Sequence, residues 1–172
     1  MSRKIYTSND ILRLVEYKKC DDRVLYENWQ DAETQKGYNF ILEESFEEFS
    51  ASETKQRFFA MIQLIETNEI IGSVGISPPE SVPDLAIWIF KPFRQKGYGT
   101  SAFALATKYA IEVLKIDELH AGAYADNIGS QKMLHKCGYV PFPEGNVLEK
   151  HYLTGEDIIQ LDFIYMGKRK II

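Results

Sequence analysis

The chain has 172 residues, 45% of them hydrophobic and 13% aromatic, and a formal net charge of −5. That composition excludes a disordered chain and suits one packed domain spanning residues 1–172. The negative balance argues against nucleic acid as a partner, because such proteins carry a basic stripe, and the longest here is the terminal Lys168-Arg169-Lys170.

The opening residues, Met1 to Thr7, lack the apolar run of a signal peptide. Ile11 to Tyr17 alternates and predicts a first strand. Cys20 to Gln30 predicts a short amphipathic helix with Val24, Leu25 and Trp29 apolar. A second helix is expected over Phe40 to Phe49, where Ile41, Leu42, Phe46 and Phe49 recur at helical spacing. Arg57 to Ile65 and Ile70 to Ile76 read as strands joined by a hairpin turn at Thr67-Asn68-Glu69. Pro78, Pro79 and Pro83 mark a loop before the apolar strand Leu85 to Phe90. A helix is expected from Ser101 to Lys115, with Phe103, Ala106, Ala110, Val113 and Leu114 on one face. Glu118 to Tyr124 reads as a strand. Asn127, Ser130 and Leu134 then share one face of a helix that Gly138 ends. Strands near Tyr139 to Phe142, Val147 to Leu153 and Ile158 to Met166 close the chain, the last after a turn at Thr154 to Asp157. The order β-α-α-β-β-β-α-β-α-β-β-β predicts a mixed α/β (α+β) sheet protein, not a doubly wound fold, which would alternate strictly.

No stretch approaches the roughly 18 apolar residues of a membrane span, so no membrane partner is expected. Two lone cysteines, Cys20 and Cys137, fit a reducing cytoplasm and no zinc pattern. His120, His135 and His151 have no metal spacing, and no metal is expected. Acid is concentrated early, at Asp21, Asp22, Asp31, Glu33, Glu43, Glu44, Glu47, Glu48 and Glu53. Two readings stand: solvated helix faces, or an electronegative mouth that steers a cationic ligand.

The most informative stretch is Arg94-Gln95-Lys96-Gly97-Tyr98-Gly99-Thr100, between the strand ending at Phe90 and the following helix. Backbone N–H groups at a helix N-terminus have no partner of their own, and the helix dipole favours an anion there. Gly97 and Gly99 let the backbone approach a pyrophosphate, and Arg94 and Lys96 add cationic donors. Gly97-Tyr98-Gly99-Thr100-Ser101-Ala102 also satisfies the loose dinucleotide pattern G-x-G-x-x-G/A, with Asp117 20 residues after Gly97. That reading needs a strand ending at the first glycine. Six residues separate Phe90 from Gly97.

R-Q-K-G-Y-G resembles the R-x-x-G-x-G pyrophosphate loop of the GNAT acetyltransferase superfamily at every defined position. Asn127-Ile128-Gly129-Ser130 followed by Gly138-Tyr139 resembles the later motif N-x-x-S/A…G-F/Y of that superfamily, 30 residues after Gly97. The element order is similar to the GNAT layout from Ile11 to Met166. Ile11-Leu12-Arg13-Leu14, Trp29-Gln30-Asp31 and the region Asp162 to Tyr165 resemble the branch holding ribosomal-protein alanine and spermidine acetyltransferases.

The resemblance implies a central, mostly antiparallel twisted sheet with splayed middle strands and flanking helices. It implies an acetyl-CoA-dependent N-acetyltransferase that moves acetyl directly to a primary amine, on a small molecule or a protein N-terminus. Gln95 to Thr100 would hold the pyrophosphate, with Arg94 and Lys96 beside it. The strand at Ile89 and Phe90, and the Asn127 amide, would hold the pantetheine arm. Asp84, just before the strand, is the candidate general base, with Glu80 in reserve. The superfamily often places a Tyr seven residues after the motif Asn, to protonate the leaving thiolate. Here Leu134 stands there and cannot donate, which leaves Ser130, Tyr139 or water. Asp84 and Ser130 are therefore the catalytic candidates. Homodimers are frequent among such proteins. Two further readings remain: a non-catalytic acyl-CoA-binding or sensing module, and, from the G-x-G-x-x-A match, a nucleotide-linked oxidoreductase.

Overall fold

A computed structural model of the chain describes residues 2–167, so Lys168-Arg169-Lys170 lies outside the described residues. In chain order the elements are β1 (Ile5–Ser8), β2 (Leu12–Glu16), α1 (Asp22–Trp29), α2 (Ala32–Tyr38), α3 (Phe46–Ala51), β3 (Phe58–Leu64), β4 (Ile70–Ile76) and β5 (Leu85–Ile89). There follow α4 (Tyr98–Glu112), β6 (Glu118–Tyr124), α5 (Ile128–Lys136), β7 (Val140–Pro141), β8 (Val147–Lys150) and β9 (Asp157–Met166).

Strand β3, Phe-Phe-Ala-Met-Ile-Gln-Leu, is apolar at nearly every position, as a strand covered on both faces must be. It sits at the centre of an antiparallel sheet ordered β1-β2-β3-β4-β5. One face, carrying Leu14, Ile62 and Val74, forms a buried cluster with Phe103, Ala106 and Ala110 of α4. The small alanines let that helix lie close to the sheet. The opposite face, carrying Val15, Met61 and Trp88, packs with Leu25, Trp29 and Phe49 from α1 and α3. Strands β6, β9 and β7 form a second antiparallel sheet, with β8 also paired to β9.

The two sheets meet where β5 and β6 touch. A single parallel bridge joins Asp84 to His120, and the His120 N–H donates to Pro83 O at 2.8 Å. Beyond that point β5 and β6 pair with each other no further among the described residues, and a cleft opens between them. The arrangement is a mixed α/β fold, as the element order predicted, with the splayed middle strands that the family resemblance implied.

The differences are local and have physical causes. The expected helix over Phe40 to Phe49 begins later, at Phe46, because Ser45 and Glu48 form a capping box: Ser45 Oγ accepts the Glu48 N–H and Glu48 Oε2 accepts the Ser45 N–H. Helix α2 went unpredicted because Ala-Glu-Thr-Gln-Lys-Gly-Tyr has no apolar stripe. It starts at Asp31, whose carboxylate accepts the Thr34 N–H at 3.0 Å, and stops at Asn39, which takes a left-handed φ of 52°. The edge strand β1 is four residues long and carried no pattern. The helix expected from Ser101 begins at Tyr98, so the glycine loop is itself the first turn. The other boundaries shift by a few residues.

Candidate active site

The cleft between β5 and β6 holds a cavity of about 540 Å³, closed by the first turn of α4, by α5 and by α2. Antiparallel pairing fixes which β5 groups face it. Phe90 donates its N–H to Ile71 O, so Phe90 belongs to the bonded side of the ladder; alternation turns the N–H and C=O of Ile87 and Ile89 towards the cleft. Two side chains already occupy those carbonyls. Tyr38 Oη donates to Ile87 O at 2.6 Å, and Arg94 Nε donates to Ile89 O at 2.9 Å. The N–H groups of Ile87 and Ile89 are left to the cleft. Of the two strand residues singled out from the sequence, Ile89 lines the cavity, while Phe90 is 2% exposed in the core behind it. Strand parity was the signal that favoured Ile87 over Phe90.

After β5 a single 3-10 turn, Lys91–Phe93, leads to the loop. Gln95 (φ 60°) and Gly97 (φ 82°) take left-handed backbone, which turns the chain into α4. The Ser101 N–H is the first in the helix to find a backbone partner, Gly97 O at 3.1 Å. The N–H groups of Tyr98, Gly99 and Thr100 therefore point out of the helix end beside the cleft, where an anion is favoured. A Cβ on Gly99 would stand 3.6 Å from Ile89 Cγ1 and 3.7 Å from Met133 Sδ, so glycine keeps the space between those residues open.

The two cations of the loop are placed differently. Arg94 is tied to α2: its guanidinium donates to Asp31, Glu33 and Thr34 at 2.9, 2.9 and 2.5 Å. It clamps the cleft wall and also lines the cavity. Lys96 extends over the Phe93 ring, 5.7 Å from its centre.

On α5, Asn127 is the N-cap: its Oδ1 accepts the Ser130 N–H at 3.0 Å, and its Nδ2 has no hydrogen-bond partner among the described residues. Asn127, Ser130 and Leu134 all line the cleft. Gly138 ends the helix with φ 87°, as expected. Tyr139, one alternative proton donor, is 1% exposed in the core, its hydroxyl 2.9 Å from Thr107 Oγ1, and it does not line the cavity.

Asp84 stands at the closed end of the cleft and lines the cavity. Burial pushes its carboxyl pKa up, Asp162 adds to the rise, and His120 opposes it. The His120 ring is held between two carboxylates, with Nδ1 2.7 Å from Asp162 and Nε2 3.2 Å from Glu118. Burial alone would lower the His120 pKa, but these bonds outweigh it and raise it. Glu80, the reserve base, is exposed and outside the cavity.

A second cavity of about 610 Å³ opens on the α1–α3 face of the first sheet and shares Tyr38, Ala86 and Trp88 with the cleft. Sequence reading missed it, and missed Tyr38, because its walls come from α1, α3, β3 and β5 together. The early acidic residues mostly have structural partners. Asp21 pairs with Arg3, Asp22 with Lys19, and Asp31 and Glu33 with Arg94. No helix among the described residues is long and apolar enough to cross a membrane, and no His/Cys/Asp/Glu group among them could hold a metal.

A sequence profile of the family described as "Acetyltransferase (GNAT) domain" matches residues 5–140. No curated protein matches the sequence. Among solved structures, a GNAT-family acetyltransferase from Bacillus anthracis superposes with a TM-score of 0.79 at 17% identity, over 96% of this chain and 100% of that one. Spermidine N-acetyltransferase from Vibrio cholerae, solved with CoA and spermine, gives 0.79 at 16% identity, over 92% and 96%. RimL, a ribosomal alpha-N-protein acetyltransferase solved with CoA, gives 0.77 at 14% identity, over 95% and 98%.

Proposed function

The chain belongs to the GNAT acetyltransferase family, and on that footing we propose that it transfers the acetyl group of acetyl-CoA directly to a primary amine, acting as one domain of residues 1–172. The observation that carries this reading is the cleft itself: two strands that part after one bridge, with unpartnered N–H groups of a long helix beside the opening. The loop geometry departs from the dinucleotide pattern, since the 3-10 turn intervenes between β5 and Gly97.

In this reading the N–H groups of Tyr98, Gly99 and Thr100 hold the pyrophosphate, with Gln95, Lys96 and Gly97 forming the loop around it. The N–H groups of Ile87 and Ile89 pair with the pantetheine amides as an added strand would. Asn127 Nδ2 is the side-chain donor further along. Arg94 acts through Asp31, Thr34 and Ile89 O, fixing the loop against α2.

An ammonium has no lone pair at neutral pH, so the acceptor must first lose a proton. Asp84 takes it; a carboxyl of raised pKa is better matched to that task than an ordinary one. The amine nitrogen attacks the thioester carbon, the C–N bond forms and the C–S bond breaks. The attacking nitrogen then gives up its second proton, which passes through the Ser130 hydroxyl or water to the departing thiolate, because Leu134 offers no relay. Two free cysteines, Cys20 and Cys137, fit a cytoplasmic setting.

Leu134, 1% exposed where a tyrosine could have served, supports a second reading, an acyl-CoA-binding module without turnover. Thermal unfolding with acetyl-CoA, CoA and NAD, followed by a turnover assay over an amine panel, separates the cases. Ligand at 100 times its Kd adds about 2.7 kcal/mol. Stabilisation by both CoA species but not by NAD, with amine turnover, is the expected result. Binding without any turnover supports the second reading, and no CoA effect overturns both.

A further inference from the structure

The cavity on the α1–α3 face has the walls of an acceptor pocket for one kind of amine. Strand alternation puts Asp84, Ala86 and Trp88 on the same face of β5. Trp88 and Ala86 line both this cavity and the cleft, and Asp84, which lines the cleft alone, stands beyond Ala86. At roughly 3.3 Å per residue, Ala86 lies about 7 Å from Asp84 and Trp88 about 13 Å. The exposed methyl of Ala86 leaves a gap between carboxylate and indole. Its cross-strand neighbour is Gly75, and the neighbour of Gly75 is Phe59. The Gln56 side-chain amide covers Gly75, so the open floor is at Ala86.

Ser52, Glu53, Thr54, Gln56 and Ser73 make a polar part of the remaining wall, and much of the rest is aromatic. Trp29 lies 4.7 Å from Trp88 and 5.0 Å from Tyr38, and Trp88 Nε1 donates to Thr34 Oγ1 at 3.2 Å. Phe49 closes the cavity from α3. Three charged residues line the cavity as well, Asp22, Lys19 and Glu53. Asp22 there accepts from Tyr17 and from Ser50, and Lys19 Nζ stands 2.9 Å from it. Asp22 is held ionised by those bonds, against the effect of burial, and its charge is already matched.

We infer that the acceptor is an amine with a flat aromatic body, of the arylalkylamine type, its nitrogen at Asp84 and its ring over Ala86 among Phe59, Trp29 and Trp88. This rests on the acetyl-transfer reading and narrows its substrate class. Planar rings stack favourably on such walls, and burying one adds selectivity that an ion pair at the mouth does not. The chemistry is unchanged: the amine proton goes to Asp84, the acetyl to nitrogen, and CoA leaves as the thiol.

The test uses the full chain with saturating acetyl-CoA and three probes: 2-phenylethylamine, n-butylamine and spermidine. The expected kcat/KM for 2-phenylethylamine exceeds that for n-butylamine by at least about tenfold, and also exceeds that for spermidine. In Phe59→Leu, which keeps an apolar side chain but removes the ring, that preference shrinks while acetyl-CoA affinity holds. Phe49→Ala repeats the measurement from the other wall should Phe59→Leu fold poorly. Preference for spermidine, equal rates for the aryl and alkyl amines, or no turnover of any probe by a protein that binds acetyl-CoA overturns the inference. Failure to bind acetyl-CoA at all sinks the acetyl-transfer reading instead.

Discussion

Asp84 and His120 stand opposite each other at the one point where β5 and β6 pair among the described residues, and His120 opposes the rise in the Asp84 pKa that burial and Asp162 produce. His120 is fixed by Asp162 and Glu118, so its imidazolium persists to higher pH than that of a free histidine. Asp84 also faces Asp162, which favours its neutral form, and the phenols of Tyr38 and Tyr139, which stay neutral at any working pH. Removing the imidazolium therefore leaves Asp84 with burial and Asp162 alone. With Asp84 as the base, His120→Gln is expected to move the acidic limb of the kcat/KM profile to higher pH, with little change at the alkaline plateau. An unshifted limb in a folded variant removes His120 from the mechanism.

Asp84→Asn should separate activity from stability. A carboxyl whose folded pKa is raised binds its proton more tightly folded than unfolded. Its ionisation therefore costs stability as pH rises from the unfolded pKa, about 3.9, through the folded value. At pH 7 the neutral amide escapes that cost. Turnover is expected to fall by roughly 10²–10⁴-fold while Tm at pH 7 rises. Acetyl-CoA affinity should stay within about a factor of two. A lower Tm together with unchanged turnover contradicts both roles.

Two glycines of the loop do different work and should fail differently. At Gly97, φ is 82° and a Cβ would meet nothing within 4 Å, so Gly97→Ala carries only the strain of left-handed backbone, about 1–2 kcal/mol. At Gly99 the backbone is ordinary helix, and the open space between Ile89 and Met133 is what matters. Gly99→Arg is expected to fold with near-native stability and to lose acetyl-CoA affinity by at least about a hundredfold, about 2.7 kcal/mol. Denaturant titration and equilibrium binding of the two variants check the contrast.

Arg94 joins the loop to α2 through Asp31. Burial alone would raise the Asp31 pKa, but bonds from the Thr34 N–H and from Arg94 outweigh it and lower it. The stability this carboxylate contributes is thus present above its unfolded pKa, about 3.9, and lost as pH falls through the lower folded value. Arg94→Ala should cost about 1–3 kcal/mol at pH 7, with a smaller difference below about pH 3. Equal destabilisation at both pH values argues that the clamp is packing, not charge.

Local physics accounts for what was legible in the sequence. The apolar run of β3 announces a strand buried on both faces, whatever covers it. The turn into α4 is written in Gly97, because glycine takes φ 82° without strain, and the anion-favouring helix end follows within three residues. Asn127 announces the start of α5 because its cap reaches only to Ser130. Each of these is settled within a few residues of chain.

The tertiary structure decided the rest. Helix α2 has no apolar stripe and holds its place through Arg94, which lies in the loop after β5. Whether Ile87 or Phe90 faces the cleft depends on which side of β5 bonds to β4. Asp84 meets His120 and Asp162 only because two sheets touch at one bridge and then part. The cavity over Ala86 exists because three strands align in one register under helices from elsewhere in the chain. Sequence patterns report backbone preference and burial along one segment, and they carry no signal for which distant side chains arrive at the same place.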